Sequence, residues 1–295
     1  MTGLWPGDLL QHFFSGLTLG SIYAIVGLSF NIVYKAGKII NLAQGQFVVL
    51  GGLVMVSFYS GLKLPLPLAF ILTMVTVTAF ALLVARAVVF PVKDAQSSTL
   101  IVITVGLAIF LEGGASLLWG KESFSLPPFS SGQPFRIAGA TIMPQTLWVI
   151  GGAVFVAGSL ALFFSDTMLG KAIRASAANS LGARVVGISH GRVVLSTFAL
   201  GAAVGALAGI LITPTTLIEY NRGFLILLKA IAAVALGGLG NLPGAVIAGF
   251  IIGLAEAFAA GYISSRFKDV LALSLLLCIL FTRQTGLLSR RTELD

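Results

Sequence analysis

Apolar residues run along this chain in blocks rather than in stripes. Candidate membrane spans lie at roughly 9–34, 39–59, 64–86, 97–119, 144–165, 193–213, an interrupted region 228–260, and 270–285. Several windows of about 20 residues carry one charge or none, the length that takes a helix across ~30 Å of hydrocarbon. The runs are continuous, whereas an outer-membrane barrel shows alternating segments of ~10 residues. The pattern predicts an all-α polytopic membrane protein of about 8–10 transmembrane helices, some broken or re-entrant. No polar connection is long enough for a soluble domain, so residues 1–295 form one transmembrane domain. The longest connection runs from Gly120 to Met143, is rich in Ser and Pro, and reads as an ordered external loop.

One block breaks in its middle. Gly237, Gly238, Gly240, Pro243 and Gly244 surround Asn241 and Leu242. Proline lacks the helical donor and glycine loses the most backbone entropy on folding, so a regular helix does not continue here. Two short spans or a re-entrant hairpin both satisfy the pattern. Asn41-Leu42 and Asn241-Leu242 each begin a span after a glycine-containing turn. This suggests interrupted helices at matching places in two inverted repeats.

Composition supports the membrane assignment. The chain is 57% hydrophobic and only 9% charged, against about 25% charged in a soluble domain. Its net charge of +8 serves topology rather than nucleic-acid binding, because cytoplasmic loops of membrane proteins collect Lys and Arg. With the amino terminus outside, Lys35, Lys38, Arg86, Lys93, Lys171, Arg174, Arg184 and Arg192 fall inside. Lys63, Lys121 and Arg136 fall outside. After residue 213, either two short spans or a re-entrant hairpin, followed by the last span, also puts Arg283, Arg290 and Arg291 inside. The first cation is Lys35, so no basic region of a secretory signal precedes the first apolar stretch. The single Cys278 excludes an intrachain disulfide.

The densest polar stretch, about 166–192, is therefore a cytoplasmic loop. Its AIRASAANSLGARVV segment is helix-forming, Asn179 and Ser180 offer caps, and Gly187 suits a helix end. Leu181, Val185 and Val186 form an apolar stripe. That stripe needs either a membrane surface or a groove on a partner. A merely topogenic basic loop explains the cations equally well.

Asn41, Gln44 and Gln46 put three amides at the start of a span, where unpaired polar groups are costly. They line a solute path or hold the bundle through interhelical hydrogen bonds. Glu112, Lys229 and Glu256 are the other ionisable groups at membrane depth, and Lys229 is a natural partner for either acid. Gly16/Gly20, Gly201/Gly205/Gly209 and Gly249/Gly253 mark seams of close helix approach. Two histidines and one cysteine, far apart, form no metal cluster. Gly114 to Glu122 has the wrong spacing for a phosphate loop. With no catalytic set in view, the chain is not an enzyme.

GLTLGSIYAIVGLSFNIVY, INLAQGQFVVLGG, RASAANSLGARVVGIS and LKAIAAVALGGLGNLPGAVIAGFIIGLAEAF follow one another in order. Together they resemble the permease subunits of branched-chain amino acid (LIV-type) ABC importers. The resemblance implies the ABC importer permease fold in a bacterial plasma (inner) membrane. It implies a second homologous permease as heterodimer partner, two ABC ATPase subunits, and an external solute-binding protein. ATP and Mg sit on the ATPases, and this chain binds no cofactor. Arg174, Ala175, Ala177, Asn179, Ala183, Gly187 and Ile188 match the family's ATPase-coupling pattern. Ala178 departs from it where relatives carry an acid or amide. Asn41, Gln44, Gln46 and Asn241 become candidates for the translocation pathway. Relatives carry His and an acid where Gln44 and Gln46 stand, which weakens the alternative of an ion-coupled secondary transporter. The family serves branched-chain and other amino acids, amides, urea and aromatic acids, so the resemblance does not single out a solute.

Overall fold

The computed structural model describes residues 6–92, 95–130 and 132–262, with the single helical positions 270, 274 and 277. The expected last span, Cys278, Lys93, Arg283, Arg290 and Arg291 otherwise lie outside the described residues. Ten α-helices and one short hairpin are described: α1 Pro6–Gly37, α2 Gln44–Val56, α3 Leu66–Val84, α4 Ser97–Trp119, β1 Phe135–Ile137, β2 Ala140–Ile142, α5 Pro144–Asp166, α6 Met168–Ala178, α7 Ser180–Val185, α8 His190–Ile212, α9 Arg222–Gly237 and α10 Leu242–Tyr262. Among the described residues, six helices are long and apolar enough to cross a membrane: α1, α3, α4, α5, α8 and α10. A π-helical turn, Ser57–Gly61, prolongs α2. At 16 residues, α9 is about 24 Å long at 1.5 Å per residue.

Contacts at the helix ends confirm the alternation of sides. Gly7 at the start of α1 abuts Gly139 in the hairpin turn. Trp119 Nε1, ending α4, donates to Ser57 Oγ at 2.7 Å. Phe124 and Ile218 exchange backbone hydrogen bonds of 2.9 and 2.8 Å. At the opposite end, Lys35 Nζ lies 5.3 Å from the Phe164 ring centroid, and Phe90 packs on Gly191. Residues assigned to one side by charge thus meet on one side.

Helix α1 is the central post. Its apolar window is 83% buried, against 28% for those of α3, α4 and α5, which form the periphery. Side chains do not fill its contact with α10; backbones do. A Cβ added to Gly16 would stand 2.8 Å from Leu254 Cα, and one on Gly20 would stand 2.7 Å from Phe250 Cα. From α10, a Cβ on Gly249 would approach Ala24 N to 2.7 Å, and one on Gly253 would collide with Gly20. Along α8, Gly201 meets Ser29 and Val33 of α1, Gly205 meets Gln44 and Phe47, and Gly209 meets Val48 and Gly52 of α2. The glycine seams are contacts within this chain.

Two breaks interrupt the helices at membrane depth. After α1, residues 38–43 leave the helix, with Lys38 at φ +54 and a turn at Leu42-Ala43, before α2 begins at Gln44 beside the middle of α8. Thr104 of α4 covers this freed backbone: its hydroxyl donates to Ile40 O (3.2 Å) and accepts from Leu42 N (3.3 Å). The expected glycine break lies between α9 and α10, with Gly238 and Gly240 at φ +95 and +84. Asn31 of α1 holds it, accepting from Gly240 N at 2.6 Å and donating to Asn241 O at 3.1 Å. Because α9 runs with α1 and α10 runs against it, the two helices form a hairpin whose turn is Gly238 to Asn241. Protein, not lipid, satisfies both breaks, as hydrocarbon demands.

The inverted-repeat pairing of the two Asn-Leu starts is overturned. Contacts place α2 parallel to α8, and place both α8 and α10 antiparallel to α1. Helices α2 and α10 therefore run in the same direction, and a two-fold axis in the membrane plane would reverse one of them. The connection between α4 and α5 carries an antiparallel hairpin that the pattern did not reveal. Its turn, Ala138-Gly139, has φ of +48 and +89, the positive values of a primed two-residue turn.

Candidate functional site

The basic segment 166–192 folds as two short helices at an angle. Thr167 caps α6, its hydroxyl accepting from Gly170 N at 3.0 Å. At Asn179 the backbone turns extended, with φ −150 and ψ 102. Asn179 Oδ1 accepts from Gly182 N at 2.8 Å, which caps α7 and satisfies one of its orphan donors. The far end closes through Gly187 at φ +87. Ile188 N donates to Ala183 O (2.9 Å) and Gly187 N to Arg184 O (3.0 Å), the paired bonds of a Schellman motif. A helix of six residues is too short to persist alone, so these two locks define its shape.

The expected coupling residues divide by what they face. Asn179, Ala183, Gly187 and Ile188 build α7 and its caps, and Ala183 is buried. Arg174 and Ala175 are exposed on α6, and Ala177 is half-buried. Arg174 Nη2 lies 3.5 Å from Ser165 O, near the carbonyl end of α5, where a cation is favoured. The apolar stripe points outward: Leu181, Val185 and Val186 are 72%, 87% and 74% exposed. A cavity of about 260 Å³ separates Ser176, Ala178 and Ser180 from the inner end of α1 and from His190.

Of the four expected pathway residues Asn41 and Gln44 meet, Asn241 lies at the other break, and none lines a described cavity. Asn41, Gln44 and Gln46 are buried among helices of this chain. Asn41 Oδ1 accepts from Ala43 N and Asn41 Nδ2 donates to Gln44 Oε1, both at 3.1 Å. Gln46 Nε2 donates to Glu112 Oε2 on α4 at 3.3 Å. Asn241 caps α10, accepting from Gly244 N at 3.1 Å, and its amide donates back to Gly237 O at 3.1 Å. Each side chain makes a hydrogen bond at a helix start, but Gln44 Nε2 is buried without a partner among the described residues.

Glu256 takes the partner anticipated for it. Lys229 Nζ lies 2.7 Å from Glu256 Oε1, and Tyr23 OH donates to Glu256 Oε2 at 2.7 Å. Asn31 and Thr104, which hold the two breaks, gave no sign in the sequence. Both sit inside apolar runs, more than 60 residues from their partners.

Fold and segment together define a class: a multi-pass membrane protein that presents a doubly capped helix with an exposed apolar face. The family described as "Branched-chain amino acid transport system / permease component" matches residues 12–280. The permease protein LivH of the high-affinity branched-chain amino acid transport system of Escherichia coli K12 is 32% identical over 297 residues, covering 95% of this chain and 96% of its own. BraD of Pseudomonas aeruginosa, named for the same type of system, is 30% identical with the same coverage. A probable LivH of Methanocaldococcus jannaschii is 27% identical over 84% of this chain and 80% of its own. The chain belongs to the branched-chain amino acid transport permease family, and it is a multi-pass protein of the bacterial plasma membrane.

Proposed function

We propose that this permease subunit forms half of a heterodimeric pore, with a second homologous permease as the other half. Two ABC ATPases dock from the cytoplasm and hold the ATP and Mg²⁺, while this chain binds neither. A solute-binding protein delivers branched-chain amino acids, the cargo named for the E. coli and P. aeruginosa relatives, from outside. The amides Asn41, Gln44, Gln46 and Asn241 serve the path from behind, bracing the two helix breaks whose geometry changes when the spans reorient.

One observation carries this reading. Leu181 and Val185 on α7 and Val186 at its end stand exposed, on a helix fixed at both ends by Asn179 and Gly187. A helix with no partner gains nothing from an exposed apolar face, whereas a helix that fits an apolar cleft gains by covering it. An ion-coupled carrier has no use for such a handle. The test is co-expression with the cognate ATPases and purification in mild detergent. Wild type is expected to retain them, and Val185→Asp to lose them while inserting at normal levels. A wild-type chain that takes up leucine with no ATPase present contradicts the reading.

A further inference from the structure

The Lys229–Glu256 pair lines the end of a cavity. A space of about 130 Å³ is walled by α1, α8, α9 and the outer loop after α8. Its sides are aliphatic, with Leu19 and Ile22 from α1, Ile212 from α8, and Leu225 and Ile226 from α9. Its polar end holds Tyr23, Lys229 and Glu256, with Arg222 at the start of α9. That volume is below the 300–1,000 Å³ of pockets for drug-sized ligands and suits a molecule of amino-acid size. A larger cavity of about 540 Å³, walled by Gln11, Thr141 and Pro214 on the outer side, shares Leu19, Ile22 and Thr216 with it. The two spaces lie back to back across these three side chains.

Charge in this place needs a reason. The Glu256 and Lys229 side chains are only 2% and 12% exposed, and two desolvated charges rarely stabilise more than apolar residues of the same shape. Ionisable groups at membrane depth mark ligand routes. We propose that this cavity is a transit site for an aliphatic α-amino acid. The ammonium of the ligand faces the Glu256 carboxylate, its carboxylate faces the Lys229 ammonium and the Arg222 guanidinium, and its branched side chain lies against Leu19, Ile22 and Leu225. A cation and an anion held 2.7 Å apart match a zwitterion, whose two charges are likewise a few ångströms apart, and mismatch a sugar or a lone ion. The pair satisfies itself while the site is empty, and the ligand replaces part of that pairing. Tyr23 keeps Glu256 in place throughout, through its 2.7 Å hydrogen bond.

This inference rests on the importer reading, and the experiment separates the two. The whole complex is reconstituted with its ATPases and loaded binding protein, and leucine uptake and ATP hydrolysis are both measured. ATP-driven leucine uptake by wild type is the importer control, and its absence would remove that reading, not only this site. Leu225→Trp fills the cavity from a half-exposed position and leaves the ion pair intact. It is expected to lower leucine uptake more than 10-fold, with ATPase recovery and hydrolysis kept. The double variant Lys229→Met/Glu256→Leu removes both charges together and is expected to assemble yet fail to transport. Wild-type leucine uptake by Leu225→Trp, or by the double variant, would overturn the site and leave the pair a structural salt bridge.

Discussion

Small residues crowd two regions of this molecule for opposite reasons. At the α1–α10 seam, Gly20 and Gly253 are required by space: an added Cβ on Gly20 would stand 2.7 Å from the Phe250 backbone. At the end of α7, Gly187 has nothing within 4 Å of an added Cβ and is required by conformation, φ +87. The first glycine lets two backbones meet inside the protein. The second turns a helix end so that an apolar face is presented outside it. Identical residues therefore report packing in one place and interaction in the other, and substitution separates them.

The largest effect is expected at the seam. Gly20→Leu must push α10 away from the central post, and overpacking of this kind costs about 1–3 kcal/mol or more. It is expected to lower the amount of folded protein in the membrane and the melting temperature in detergent. At the segment, Gly187→Val places a β-branched residue in the left-handed region, at a local cost of about 1–2 kcal/mol. Because the strain is confined to the end of α7, membrane insertion and melting are expected to stay normal. ATPase recovery and uptake are expected to fall. Equal loss of folded protein in the two variants would erase the distinction.

How much of this was legible beforehand follows from where each signal lies. The spans, their orientation and the break at Gly237 to Gly244 are written locally, in apolar runs, cations and glycines. The caps of α7 were also legible, because Asn179 and Gly187 act within a few residues of themselves. Asn31 and Thr104 were not: each is one polar residue in an apolar run, and its meaning depends on a partner more than 60 residues away. Nor does a dipeptide state direction, so the match of Asn41-Leu42 with Asn241-Leu242 suggested a repeat that the parallel course of α2 and α10 refutes. The hairpin escaped notice because strands of three residues are too short for alternation to register.

A smaller effect is expected from the cap itself. Asn179→Ala removes the hydrogen bond to Gly182, a loss of about 1 kcal/mol for a typical N-cap. Faster amide hydrogen exchange is expected in residues 180–187, with partial loss of ATPase affinity and no change at the α1–α10 seam. The smallest lies outside the membrane. Hydrogen bonds from Ser123, then from Arg222, hold the Glu219 carboxyl below its usual 4.5. A carboxylate whose folded value is depressed stabilises the fold above its unfolded value and loses that contribution as pH falls through the folded one. Below about pH 4.5 the tie between the two outer loops is expected to loosen slightly. The pH dependence of exchange near Phe124 and Ile218 reads this out, and Glu219→Gln is expected to flatten it.

The central claim is that α7 is the surface on which the ATPase pushes. With Cys278 replaced by Ser, a Val185→Cys variant can be cross-linked in the assembled complex through a short thiol-reactive reagent. The account predicts a specific adduct with the ATPase subunit whose yield changes between the ATP-bound and nucleotide-free states. Full labelling of that cysteine by a membrane-impermeant reagent added from outside, or no adduct in a complex that is actively transporting, would contradict it.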